Sequence, residues 1–432
     1  MLSAISAIPV LFKTLCVFGL ILVLNRLRLS LTYALGIGAL GIGLWTGLDP
    51  LTVLKSAGLS LLSLQTVSMA LIVGIILVMS RLMKESGHLD RIVQGFGGLS
   101  RDDRMTGAVM ATLLGLLPMP GGALFSAPMV ERALCRLQVT AEDQTGVNYW
   151  FRHSWELWCP LYPGFVLAVA LLQVDTWRFM AVMFPVALLT FLVGVIFIIR
   201  PLDNPPDLPR DRPSRHGLGA FMWEIMPISL IVLVILAFAG AEGILGRLGV
   251  KADLPGTLHV LAGLIASFGW VCAVNRIPPA RIRSAILDRQ ILPMLLLIFA
   301  IMIFKGVLAD SRAALQIRSE LLDYHIPVAL VILILPFLSG LITGVALAYV
   351  GISFPLIIPL FQGGDLHHTL AFAAVAHTFG FLGMMLSPVH LCFLVTKDYF
   401  KAGFLGSYRR ILLPTITIMV LTGAAFFIYQ SY

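Results

Sequence analysis

Apolar residues fill this chain in long runs separated by short polar ones. The runs show neither the alternation of strands nor the one-sided stripe of a surface helix. A hydrocarbon layer about 30 Å thick needs roughly 20 apolar residues in helical form. Ten stretches meet that need, near residues 7–25, 29–48, 66–84, 149–174, 177–199, 220–240, 257–275, 291–309, 368–396 and 404–429. Two more are split, 105–135 at Pro118-Met119-Pro120-Gly121-Gly122 and 327–361 at Ser339-Gly340 through Thr343-Gly344. Each arm, about fifteen residues long, rises roughly 22 Å and falls short of the layer. The pattern predicts an all-α polytopic membrane protein with about ten transmembrane helices, two re-entrant hairpins and two discontinuous helices. The plainer alternative makes each hairpin a pair of kinked spanning helices.

The pattern also repeats. Arg81 recurs as Lys305, Pro120-Gly121 as Thr343-Gly344, Ala123-Leu124 as Ala346-Leu347, His153 as His377 and Pro163 as Pro388, at an offset within one residue of 224. Two copies with Gly/Pro breaks inside apolar segments are the pattern of a secondary transporter with its site between the repeats. The expected organisation is a first repeat over 1–199, with its hairpin at 105–135 and broken helix at 149–174. A Pro-rich cytoplasmic linker follows over 200–217, then a second repeat over 218–432, with its hairpin at 327–361 and broken helix at 368–396.

Charge sharpens the topology. Re-entrant hairpins leave five crossings per half, so the second copy is inverted relative to the first. Counted from an outside N-terminus, inner loops hold 22 of the 30 lysines and arginines and outer loops 7, with Lys13 inside a helix. That bias obeys the positive-inside rule and places both termini outside. Lys13 lies within the first apolar run and Arg26 and Arg28 follow it, which fits a spanning helix rather than a cleavable leader. At 59% hydrophobic, 12% charged and a mean hydropathy of +0.95, the composition belongs to a bilayer. The net charge of +8 reflects the inner loops rather than a nucleic-acid surface. The five cysteines, Cys16, Cys135, Cys159, Cys272 and Cys392, show no metal spacing and read as small core residues.

Broken helices persist in a membrane only where protein or a polar cavity receives their free ends. Besides the hairpin tips, breaks are expected at Trp158-Cys159-Pro160-Leu161-Tyr162-Pro163-Gly164 and Met385-Leu386-Ser387-Pro388. Helix N-termini there suit a carboxylate or oxyanion, and helix C-termini offer carbonyls to a cation. The polar side chains nearby are Ser126, His153, Ser154, Glu156 and Tyr162, then Ser339, Thr343, Tyr349, Ser353, His377, Thr378, Ser387 and His390. Glu156 carries most weight, since an acid inside an apolar span is costly and functional by default. Its bland reading is a structural carboxylate paired with Arg152 or His153; Gly380 stands at the matching position. His153 and His377 are read either as helix-end caps or as groups that bind an anion or exchange protons. No ATP-binding loop, HExxH motif or selectivity-filter sequence is present.

The run Leu116-Leu117-Pro118-Met119-Pro120-Gly121-Gly122-Ala123-Leu124-Phe125-Ser126-Ala127-Pro128-Met129 is followed by Tyr149-Trp150-Phe151-Arg152-His153-Ser154-Trp155-Glu156 and Pro160-Leu161-Tyr162-Pro163-Gly164. Together they resemble the prokaryotic integral-membrane family called domain of unknown function 401. That family is grouped with the ion-transporter superfamily of citrate, dicarboxylate and gluconate permeases and arsenite pumps. The resemblance spans essentially the whole chain and implies inverted repeats, a re-entrant hairpin and a broken helix in each half, a homodimer and elevator-like motion. Sodium-coupled dicarboxylate carriers of the superfamily have Ser-Asn-Thr at their tips, whereas this chain has Met-Pro-Gly-Gly and Leu-Ile-Thr-Gly.

The function expected is a secondary active transporter, not an enzyme, for a small organic anion such as a carboxylate or sugar acid, coupled to protons or sodium, in a prokaryotic inner membrane. The substrate site is placed at Pro120, Gly121, Gly122, Ser126, Tyr162, Pro163, Gly164, Ser339, Thr343, Gly344, Ser387 and Pro388. Coupling is placed at Glu156, His153 and His377, with any sodium site near Thr343 and Ser387; no cofactor or resident metal is expected. Cation/proton antiport at Glu156 is the alternative. A membrane-embedded enzyme using His153, His377 or His390 with Glu156 is the remote one.

Overall fold

The computed structural model describes residues 8–96, 102–116, 118, 122–203, 216–250, 254–361 and 364–431. Every regular element among them is a helix. The first half runs α1 (Val10–Arg26), α2 (Leu31–Trp45), α3 (Pro50–Leu62), α4 (Leu64–Glu85), α5 (His88–Phe96), α6 (Asp103–Leu114), α7 (Ala123–Leu134), α8 (Ala141–Arg152), α9 (Pro163–Leu172) and α10 (Thr176–Gly194), the last extended by one π turn to Ile199. The second half runs α11 (His216–Glu224), α12 (Met226–Arg247), α13 (Gly256–Val274), α14 (Pro279–Ile286), α15 (Ile291–Asp310), α16 (Ala313–Asp323), α17 (Val328–Thr343), α18 (Ala346–Phe361), α19 (Leu366–Met385), α20 (Leu391–Phe400) and α21 (Phe404–Ser431). Each half thus closes with a two-helix hairpin, a broken helix and a long apolar helix.

Among the described residues, seven helices are long and apolar enough to cross a membrane: α4, α10, α12, α13, α15, α19 and α21. Two of the ten expected spans are shorter, α1 and α2 having 17 and 15 residues. The stretches expected to be broken, 149–174 and 368–396, are each divided, between α8 and α9 and between α19 and α20. Short helices α3, α5, α14 and α16 occupy stretches that the apolar-run criterion reads as loops.

Local chemistry sets these boundaries. Asp49, Asp365 and Thr140 cap α3, α19 and α8, the last through a reciprocal capping box with Asp143. The carboxylate of Glu320 on α16 accepts both the Val10 and Leu11 amides at 2.7 and 2.6 Å, closing the first turn of α1 from 310 and 309 residues away. Pro163 starts α9 at a position that needs no N–H, and α9 and α20 both end on left-handed caps, Gln173 and Lys401.

The helices pack in two groups, here called outer and inner. In the outer group α2 and α3 pack on α15, and α13 lies between α4 and α12. The inner group joins the halves crosswise: α9 packs on α18 of the second hairpin, while α20 packs on α7 of the first and on α8. Burial follows this arrangement, since 83% of the α19 span is enclosed but only 17% of the α12 span. Helices α17 and α19 approach so closely that a Cβ on Gly383 would sit 2.1 Å from the Phe337 carbonyl oxygen. The two groups are tied at one end by the Lys305 ammonium, which donates to Gln65 Oε1 at 2.7 Å, while the Gln65 amide donates to the Ala170 carbonyl on α9.

Candidate functional site

The first broken helix opens earlier than its sequence implies. Helix α8 stops at Arg152, and residues 153–162 form successive tight turns before α9. Short-range bonds from Glu156 N–H to His153 O and from Trp158 N–H to Trp155 O mark this winding. Pro160 cannot donate into a helix and its ring opposes the carbonyl four residues back, so unwinding spreads upstream. The second break, 386–390, lies where Ser387-Pro388 places it.

Each break receives a helix end. A helix leaves its last carbonyls unpaired. At the end of α6 these are taken by side chains of the first break: Trp155 Nε1 donates to Thr112 O at 2.8 Å, Arg152 Nη1 to Leu114 O at 3.0 Å, and the Tyr162 hydroxyl to Gly115 O. At the end of α19, His390 Nδ1 meets Met384 O at 3.2 Å and the Tyr149 hydroxyl donates to Met385 O at 3.0 Å. The Tyr408 hydroxyl donates to Leu386 O. The carbonyls expected to attract a cation at Ser387 are thus engaged by protein donors.

Between the two breaks and the tip of the second hairpin lies a cavity of about 260 Å³. The outer group closes one side with Val73, Leu77 and Met294; Arg152, His153, Glu156 and Tyr162 supply polar groups, and Gly344 through Leu347 form the opposing lip. Gly344 closes the hairpin turn at φ +65°, where a Cβ would stand 2.9 Å from Ser387 Oγ and 3.0 Å from the His390 backbone. This position needs glycine on both counts. A Cβ on Gly164 would stand 2.8 Å from the Ala346 methyl, so one broken helix and the other half's hairpin pack closely here.

Of the expected site residues, His153, Glu156, Tyr162, Pro163, Gly164 and Gly344 line this cavity. Pro120 and Gly121 lie outside the described residues. Gly122 and Ser126 are buried in the start of α7, with the Ser126 hydroxyl turned to Ala123 O. Ser339 and Thr343 donate to carbonyls of their own helix at 2.8 and 2.6 Å, and Ser387 accepts from the Val389 amide. Pro388 faces a separate cavity of about 490 Å³ beside Arg26 and Tyr408. His377 differs from its repeat mate. It lies within the continuous α19, ringed by Phe165, Phe179, Tyr349 and Phe354, with Nδ1 3.3 Å from the Tyr349 hydroxyl.

Glu156 is 16% exposed; its Oε1 is 3.9 Å from His153 Nε2, and its Oε2 is buried without a hydrogen-bond partner among the described residues. Gly380, its counterpart, has no room for any side chain, since a Cβ would fall 2.3 Å from the Tyr349 ring. Sequence reasoning placed Arg152 among the inner-loop charges. In the fold it is 4% exposed, lines the cavity and makes no ion pair among the described residues. The signal available was its position beside His153 and Glu156.

These features define a multi-pass helical membrane protein built on paired hairpins and broken helices. The chain belongs to the DUF401 family, described as proteins of unknown function, whose profile matches residues 4–429. Its fold is similar to the crystal structure of the YdaH transporter of Alcanivorax borkumensis, with a TM-score of 0.55 over 88% of this chain and 87% of that one, at 15% identity. No curated protein matches the chain.

Proposed function

We propose that the protein is a secondary active transporter of a small organic anion, a carboxylate or sugar acid, driven by H⁺ or Na⁺. The observation that carries this reading is Arg152, a buried guanidinium that faces the cavity and makes no ion pair among the described residues. A buried cation bonded to a neutral carbonyl rather than to an ion-pair partner is costly, and an anionic substrate supplies the missing charge. The glycine lip at Gly344 allows close backbone approach, and the transporter fold of YdaH agrees with this use. Glu156 is assigned to the coupling cation. The remaining parts of the reading are inverted repeats with re-entrant hairpins, membership of the ion-transporter superfamily and a homodimer. Both termini face outward from a prokaryotic inner membrane, and the inner helix group moves against the outer one. They rest on the repeat register, the arginine and lysine bias and the family resemblance.

The test is reconstitution in liposomes with imposed proton or sodium gradients and a panel of radiolabelled carboxylates and sugar acids. Gradient-dependent uptake of at least one anion is expected; none across the panel sinks the reading. Cation/proton antiport is favoured by the unpartnered Glu156 Oε2. It predicts that sodium or potassium alone changes the signal of an enclosed pH dye in vesicles lacking any organic anion.

A further inference from the structure

We propose that the cavity is also a binding site for a divalent transition-metal ion of the Zn²⁺ class, held by His153, His390 and Cys392. One donor atom from each lies within 4.8 Å of the others. The two histidines come from different breaks and are not repeat mates, so no spacing in the chain announces the group.

The tautomers are set by the backbone. His153 Nδ1 lies 2.6 Å from Tyr149 O and His390 Nδ1 lies 3.2 Å from Met384 O. A carbonyl oxygen only accepts, so each Nδ1 carries the proton and each Nε2 keeps its lone pair. This backbone lock is the arrangement that orients metal-binding imidazoles in known sites. The rings stand edge to face, 4.9 Å between centroids at 88°, and both pack on Tyr149, which limits their rotation. Glu156 is the adjacent carboxylate, its Oε1 3.9 Å from His153 Nε2 and its Oε2 buried without a hydrogen-bond partner among the described residues.

Two imidazoles and a thiol select borderline-soft ions such as Zn²⁺ or Co²⁺ over Mg²⁺, Ca²⁺ and Na⁺, which prefer oxygen. On binding, Cys392 loses its proton to solvent and ligates as thiolate. Three protein ligands leave a coordination position open, the form of site that also accepts an exogenous donor. With Arg152 in the same cavity, that donor is expected to be anionic.

The test uses purified, tag-free full-length protein titrated with Co²⁺. A sulfur-to-cobalt charge-transfer band should appear in the near ultraviolet, saturate at one ion per chain, and vanish on adding Zn²⁺ but not Mg²⁺. Cys392→Ser should abolish the band. His153→Gln and His390→Gln should each weaken binding by on the order of tenfold or more, and Cys135→Ser should leave it intact because that exposed thiol lies elsewhere. If Cys392→Ser does not fold, the histidine variants decide by the same titration. No stoichiometric band, or one that survives loss of Cys392 or of both histidines, overturns the proposal. Transport assays stand apart, so failure of the metal site and failure of the anion reading are read independently.

Discussion

The two broken helices occupy matching places in their halves yet are built differently. The first spends ten residues, 153–162, on its break and fills it with side-chain chemistry: His153, Glu156, two tryptophans and Tyr162. The second spends five, 386–390, and works by backbone proximity, with Gly344 of its hairpin pressed onto Ser387 and His390. The two breaks therefore differ in what they contribute. Length bought in the first break turns charged groups inward, and tightness in the second brings a bare peptide edge opposite them.

The sharpest way to break this comparison is to move the acid across. Gly380→Glu should prevent folding, at a cost of at least about 3 kcal/mol, because it overpacks Tyr349 and buries an unpaired carboxyl. Expression and size-exclusion chromatography check it, and a well-folded variant would show that the halves are not sterically committed. Next, Arg152→Gln should lower anion uptake roughly 10- to 100-fold, the worth of a charged hydrogen bond, with Arg152→Lys intermediate. Uptake unchanged in both would remove the charge from the first break's account. Gly344→Ala should destabilise the protein by about 1–3 kcal/mol through its positive φ and the contact with Ser387, read as a lower thermal midpoint in detergent.

The smallest effect is expected at Asp288→Asn. Asp288 pairs with Arg81, the repeat mate of Lys305, and the Gln290 amide, followed by Arg81, holds its carboxyl below the usual carboxylate range despite some desolvation. The pair is partly exposed, so its loss should cost no more than about 1 kcal/mol. Lys305 instead reaches a neutral amide that continues to α9. A larger effect on transport from Lys305→Ala than from Asp288→Asn would set the two ends of the outer group apart as the two breaks are.

Much of the frame was legible in the chain. Glycine and proline inside apolar runs marked the turn at Gly344 and the second break, because neither residue is neutral within a helix. Helices α3, α5, α14 and α16 escaped because runs of eight to thirteen residues fall below any spanning criterion. Their role comes from tertiary partners, as when Glu320 reaches α1. The site was legible only in part. Glu156, His153 and Tyr162 stood out as polar groups in apolar surroundings, whereas Ser339 and Thr343 looked free but spend their hydroxyls on their own helix. His390 meets His153 only because α20 of one half lies against α8 of the other, a contact no local pattern encodes.

The carboxylate that closes α1 has a consequence for the order of synthesis. Residues 10 and 11 are made well before the group that accepts their amides, which follows about three hundred residues later. At roughly 5–20 residues per second, the first helix waits on the order of fifteen to sixty seconds for its partner. During that interval its leading turn depends on water or lipid headgroups, so a segment made early is finished only once α16 exists.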